Sequence, residues 1–196
     1  MELDKRRMMV RTMVGLGILA AVIGGWLFIR TPQFTMTQIV EAYEDNDLEY
    51  FKKYVDVPAV SSSLVDQYVE ALISLRAERV SDPRSLNMMK TKLITAVEKQ
   101  ITEFITSGRY QPNPTTQAVF PDIKTLRNRF QGVDYIRAEG RLAYIGLITS
   151  DGMGNIVIKM KRKGLGWQVF AVKMTDYFKR TIPKWTSHFL KKGKSF

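Results

Sequence analysis

The sequence predicts an α+β fold: an N-terminal transmembrane helix, about three to four helices packed on one face of a four-stranded antiparallel sheet, and a short C-terminal helix. Three observations predict it. The chain opens on a long uncharged run, apolar residues then recur at helical spacing as far as Ile105, and from Val133 the period falls to two. Four segments follow: a cytoplasmic basic tail (1–12), a transmembrane anchor (13–30), an extracytoplasmic α+β domain (31–175) and a basic aromatic C-terminal tail (176–196).

Met13 to Ile29 is a run of 17 residues without a charge. At the helical rise this covers about 26 Å, and Arg11 and Arg30 can snorkel to close the gap to a hydrocarbon core of about 30 Å. No small-residue cleavage pattern follows, only "GGWLFIRTPQ", so an uncleaved signal anchor is expected rather than a signal peptide. Residues 1–12 carry Lys5, Arg6, Arg7 and Arg11, whereas Arg30 is the one basic residue between 30 and 49. That asymmetry puts the N-terminus in the cytoplasm and the domain outside a bacterial cell membrane, and it argues against nucleic acid as a partner. Gly17, Ala21 and Gly25 share one helical face, a spacing that lets two membrane helices approach closely.

Beyond the break at Thr31-Pro32, Met36, Ile39, Val40 and Tyr43 form one apolar stripe and Leu48, Phe51 and Tyr54 or Val55 a second. "DND" between them reads as a turn with Asp47 as N-cap. Asp56 can cap a third helix with Pro58 in its first turn and Val60, Leu64, Tyr68, Ala71, Leu72 and Leu75 on its apolar face. The clearest helix starts at Asp82-Pro83 and stops at Gly108, with Leu86, Met89, Leu93, Val97, Ile101, Phe104 and Ile105 as the stripe expected to pack on the sheet. Pro112, Pro114 and Pro121 exclude regular structure next. "VDYIRAEG", "RLAYIGLITS", "NIVIKMKRKG" and "GWQVFAVKM" then read as strands, and their short joints imply an antiparallel meander.

The spacing of Ala42 and Asp47, the segment "KKYVDVPAV" and the strand "GWQVFAVKM" together resemble an uncharacterised family of bacterial membrane-anchored domains that carries a "YVD-x-P" segment. That resemblance implies a domain of unknown function and brings no catalytic residues. The late strands are similar to the nuclear-transport-factor-like and cystatin-like cone folds. This likeness implies, as an alternative, an enzyme whose pocket is lined from Tyr135, Tyr144 and the helix faces.

With no Cys and a single His, His188, the chain offers no thiolate, no Cys-ligated zinc and no His pair for a metal. Asp45, Asp47 and Asp56 read as helix caps, and Gly152 and Gly154 in "DGMGN" as a hairpin loop rather than a phosphate cradle. Charge is the informative feature. The net charge is +11, and residues 159–196 hold eleven Lys/Arg against the single acid Asp176. In the tail, Phe178, Ile182, Trp185 and Phe189 fall on one helical face among cations, with a helix starting near Pro183. Lys179, Arg180, Lys184, Trp185, Phe189, Lys191, Lys192 and Lys194 are therefore the expected contacts to an anionic lipid or wall polymer. The expected function is a non-catalytic, membrane-anchored extracytoplasmic binding or scaffolding domain without a cofactor. The alternative is a subunit of an envelope protein complex.

Overall fold

A computed structural model of the chain describes residues 16, 17, 19–75, 83–111, 113, 116, 119, 130–149, 156–179 and 182. Residues 16 and 17 are helical, and α1 is described over 19–29. The chain then turns: the Arg30 amide donates to the Leu27 carbonyl at 3.1 Å and that of Thr31 to Phe28 at 2.9 Å. Thr31 caps α2 (Pro32–Glu44), its Oγ1 accepting from the Phe34 amide at 3.2 Å, and Pro32 sits in the first turn, where its missing N–H costs nothing.

The break at Thr31-Pro32 falls where the sequence predicts it, but the expected fold class is corrected ahead of it. Among the described residues no helix is long and apolar enough to cross a membrane. The helical residues described ahead of Arg30 and the Thr31 cap are fewer than the roughly 20 that a hydrocarbon core requires. The α+β architecture and the four-stranded antiparallel sheet are as expected.

Asn46, at φ 55, makes the tight turn into α3 (Leu48–Tyr54), and Asp47 caps that helix by accepting from the Tyr50 amide at 2.8 Å. After Val55, Asp56 accepts from the Ala59 amide at 3.3 Å and opens α4 (Val57–Leu75), with Pro58 in its first turn. α5 (Pro83–Ser107) ends at Gly108, whose φ of +61 suits a residue without Cβ. Asp82, Pro112, Pro114, Pro121 and the "DGMGN" loop lie outside the described residues.

The strands are β1 (Phe130–Glu139), β2 (Leu142–Thr149), β3 (Ile156–Lys163) and β4 (Gly166–Lys173), antiparallel in the order β1-β2-β3-β4. The register sets Ala143 opposite Met160, Ile145 opposite Ile158 and Met160 opposite Val169. These residues share the inner face, where Ala143, Ile145, Met160 and Val169 are buried. Val55 adds a single parallel bridge beside Val169, and the Asp56 amide donates to the Val169 carbonyl at 2.8 Å. A short helix, α6 (175–179), follows β4.

The helices do not all meet the sheet. α4 lies between β4 and α5, so it is buried on two sides, and α5 forms an outer layer on α4. This corrects the expectation that α5 packs on the sheet. It also explains why Val65 and Val69, which the expected stripe of α4 omitted, are buried to 0% and 1% exposure. On α2 the buried positions are Pro32, Thr35 and Ala42 while Val40 is exposed, because small residues let α2 come close to its neighbours. On α5, Leu93, Val97, Ile101 and Ile105 are buried as expected, and Met89 is exposed.

One polar side chain ties the end of β4 to α4. The Gln67 amide nitrogen donates to the Val172 carbonyl at 2.7 Å and the Ser63 carbonyl at 2.8 Å, and its oxygen accepts from the Met174 amide at 2.8 Å. The bonds to Val172 and Met174 satisfy backbone groups where β4 gives out.

Candidate functional site

Sequence reasoning pointed to the C-terminal tail. Of its expected contact residues, Lys179 is described: it is exposed at the end of α6. Arg180, Lys184, Trp185, Phe189, Lys191, Lys192 and Lys194 lie outside the described residues, as does His188. The aromatic stripe, however, begins inside the domain. Phe178 is 0% exposed and meets Tyr68 edge-on with ring centroids 5.9 Å apart, and Ile182 is buried as well. The first two residues of that stripe therefore close the core and are not available to a surface.

Gly17, Ala21 and Gly25 lie on a helix that is open among the described residues. A Cβ placed on Gly17, Gly24 or Gly25 would meet no atom within 4 Å. Leu16, Leu19, Val22, Ile23, Trp26, Leu27, Phe28 and Ile29 are all between 46% and 63% exposed. Among the described residues, the C-terminal end of this helix is the part tied to the domain. The Arg30 carbonyl accepts from the Trp167 indole at 2.7 Å and from Arg162 Nη1 at 3.3 Å, and the Arg30 guanidinium stacks on Trp26 at 3.4 Å.

The strands turn a second face away from the helices. Register places Tyr144, Lys159 and Ala171 in one row across β2, β3 and β4, with Arg137 opposite Tyr144 on β1. Lys161 stands on the same face and reaches Asp56 at 2.8 Å. That hydrogen bond is the main reason the Asp56 carboxyl is held below its ordinary pKa. Tyr135 lies flat over Gly146, so close that a Cβ there would stand 2.3 Å from its ring. Tyr135 and Tyr144, expected to line a cone-fold pocket with the helices, thus lie on the opposite side of the sheet from α4. With Arg137 and Glu139, which form an ion pair, they border an open depression of about 540 Å³.

The three carboxylates that could have met across the helix pair have separate roles. Asp47 caps α3, Asp56 caps α4 and pairs with Lys161, and Asp45 ends α2. Among the described residues no three His, Cys, Asp or Glu stand close enough to hold a metal ion.

A cleft of about 320 Å³ lies where α1 meets α2, walled by Ile29, Phe34, Trp167, Gly166 and Thr35 and bordered by Lys53, Tyr54 and Lys163. Sequence reasoning missed it because its residues come from five elements, and α1, α2 and α3 lie far from β3 and β4 in the chain. The Tyr54 hydroxyl donates to Tyr50 at 3.4 Å, and burial, ahead of the Tyr50 contact, pushes its pKa up to about 12. It therefore remains a neutral donor around neutral pH.

The helical part of this arrangement is similar to a family. Residues 18–107 match the family model described as "Protein of unknown function (DUF2939)". The DUF2939 match takes in α1 to α5 and stops short of the sheet. It includes Ala42, Asp47 and the segment "KKYVDVPAV", on which the resemblance to an uncharacterised family partly rested, but not the strand "GWQVFAVKM". DUF2939 has no stated activity, so the match assigns no chemistry to any residue. No curated protein and no solved structure matches the chain.

Proposed function

We propose that the chain is a non-catalytic binding or scaffolding domain that works at the surface of the bacterial cell membrane. The observation that carries this reading is α1: eight large apolar side chains on residues 16–29 stand between 46% and 63% exposed. A continuous apolar surface of that kind marks a site for lipid or for another protein. The charge distribution favours lipid, because residues 159–196 place eleven cations against one acid. Each cation near an anionic leaflet adds on the order of 1 kcal/mol to association. A binding role also accommodates Asp47 and Asp56, whose carboxylates serve as a cap and as a cap with an ion pair.

The test is co-sedimentation of the full chain with phosphatidylcholine vesicles, with and without phosphatidylglycerol, over a salt series. Binding is expected to strengthen with the anionic lipid and to fade as salt rises. Changing Lys184, Lys191, Lys192 and Lys194 to Gln is expected to lower the anionic component. If binding to both vesicle types is absent, the chain's apolar surface serves a protein partner instead.

A further inference from the structure

We infer that the cleft at the α1–α2 junction is a binding site for a phosphate group carried on an aliphatic chain. The first observation is Thr35. Its side chain is 0% exposed and its hydroxyl has no hydrogen-bond partner. Helical threonines normally turn the hydroxyl back on a carbonyl of the preceding turn. Thr37, Thr91, Thr95 and Thr106 all do so here. Thr35 instead faces Gly166, where an added Cβ would lie 4.0 Å from its Oγ1. A buried polar group left open in this way calls for a partner from outside the chain.

The second observation is the distribution of chemistry around that hydroxyl. Ile29, Phe34 and Trp167 supply apolar walls, while Lys53 and Lys163 are exposed at the border. Neither lysine is in an ion pair with a described residue. Ammonium groups at the mouth, a hydroxyl at the floor and apolar sides suit an amphiphile whose anionic end meets the lysines. A bare phosphate would leave the walls unused, and an uncharged chain would leave the lysines and Thr35 unanswered. The site goes beyond the membrane reading, since it uses no tail residue and can be tested with a soluble ligand.

The experiment uses the full chain in a neutral detergent, carrying Trp26→Phe and Trp185→Phe so that Trp167 in the cleft wall is the fluorescent reporter. The probes are dihexanoyl phosphatidic acid, dihexanoyl phosphatidylcholine and inorganic phosphate. A saturable change in Trp167 emission is expected with the phosphatidic acid, with at least tenfold weaker responses to the other two. Lys53→Gln with Lys163→Gln is expected to weaken it tenfold or more. Thr35→Val, which keeps the shape and removes a hydroxyl that bonds to nothing in the chain, is expected to weaken it without lowering the melting temperature. Changing Lys191, Lys192 and Lys194 to Gln should leave it unchanged, so a failure of tail-mediated vesicle binding does not touch this result. Equal responses to phosphate or to the phosphatidylcholine, or a response indifferent to the lysine pair, would overturn the inference.

Discussion

Asp56 joins three elements. Its carboxylate caps α4 and pairs with Lys161 on β3, and its amide bonds to Val169 on β4. The pairing lowers its pKa in the folded chain, so its contribution to stability is present above the ordinary carboxylate range and is lost as pH falls through the folded value. Lys161 is 44% exposed, which limits the pair to about 1 kcal/mol or less. Lys161→Gln is therefore expected to lower the melting temperature by a few degrees at pH 7. The difference should shrink as pH drops below about 4, because protonated Asp56 has no ion pair left to lose. A constant difference from pH 7 to pH 2 in thermal denaturation would mean that Lys161 acts through packing alone. Residues of this kind were half legible. The cap was readable from Asp56 standing before a proline, but the partner 105 positions away was not, since nothing local in "IVIKMKRKG" distinguishes the lysine that pairs from those that do not.

At the scale of elements, periodicity was a good guide to which helices and strands exist and a poor guide to what they touch. The α5 stripe was read correctly at Leu93, Val97, Ile101 and Ile105, yet it rests on α4 rather than on the sheet. A stripe reports that one face is buried and is silent about the layer that buries it. α4 has its wide apolar surface because it is the middle layer, and Val65 and Val69 belong to the part a one-sided helix would have exposed. The cleft was illegible for a related reason: its chemistry depends on Thr35 and Gly166 meeting across α2 and β4. Leu93→Asp puts a charge at the α4–α5 contact, at a position 8% exposed. The expected cost is about 3 kcal/mol or more, because the carboxylate has no partner there. Urea denaturation followed by circular dichroism measures it, and an unchanged midpoint would place Leu93 outside the core.

On the scale of the whole molecule, α1 stands apart from the rest. Its side chains are open while the domain behind it is held together by α4, the sheet and Gln67, so the two should separate cleanly if the cut leaves Arg30, whose carbonyl receives Trp167 and Arg162. A fragment covering 30–196 is expected to stay in the supernatant of lysed cells with the circular dichroism of a folded α+β protein, and the full chain to pellet with membranes. A fragment that precipitates would show that α1 contributes to the fold itself. The sheet has a further consequence for how this molecule avoids its own copies. Along β1 the pairing with β2 slips twice, between Phe130 and Gly132 and between Val133 and Tyr135. The free groups on its outer edge are therefore unevenly spaced and make a poor template for another strand. At the opposite margin, Val55 already occupies the place beside Val169, with α3 and α4 leading in and out of it. Both borders of the sheet thus discourage strand addition in the native state. The weaker closure is the single residue at Val55, so loosening α3, for instance at buried Phe51, is the step that would expose β4 and open a route to fibrillar aggregation.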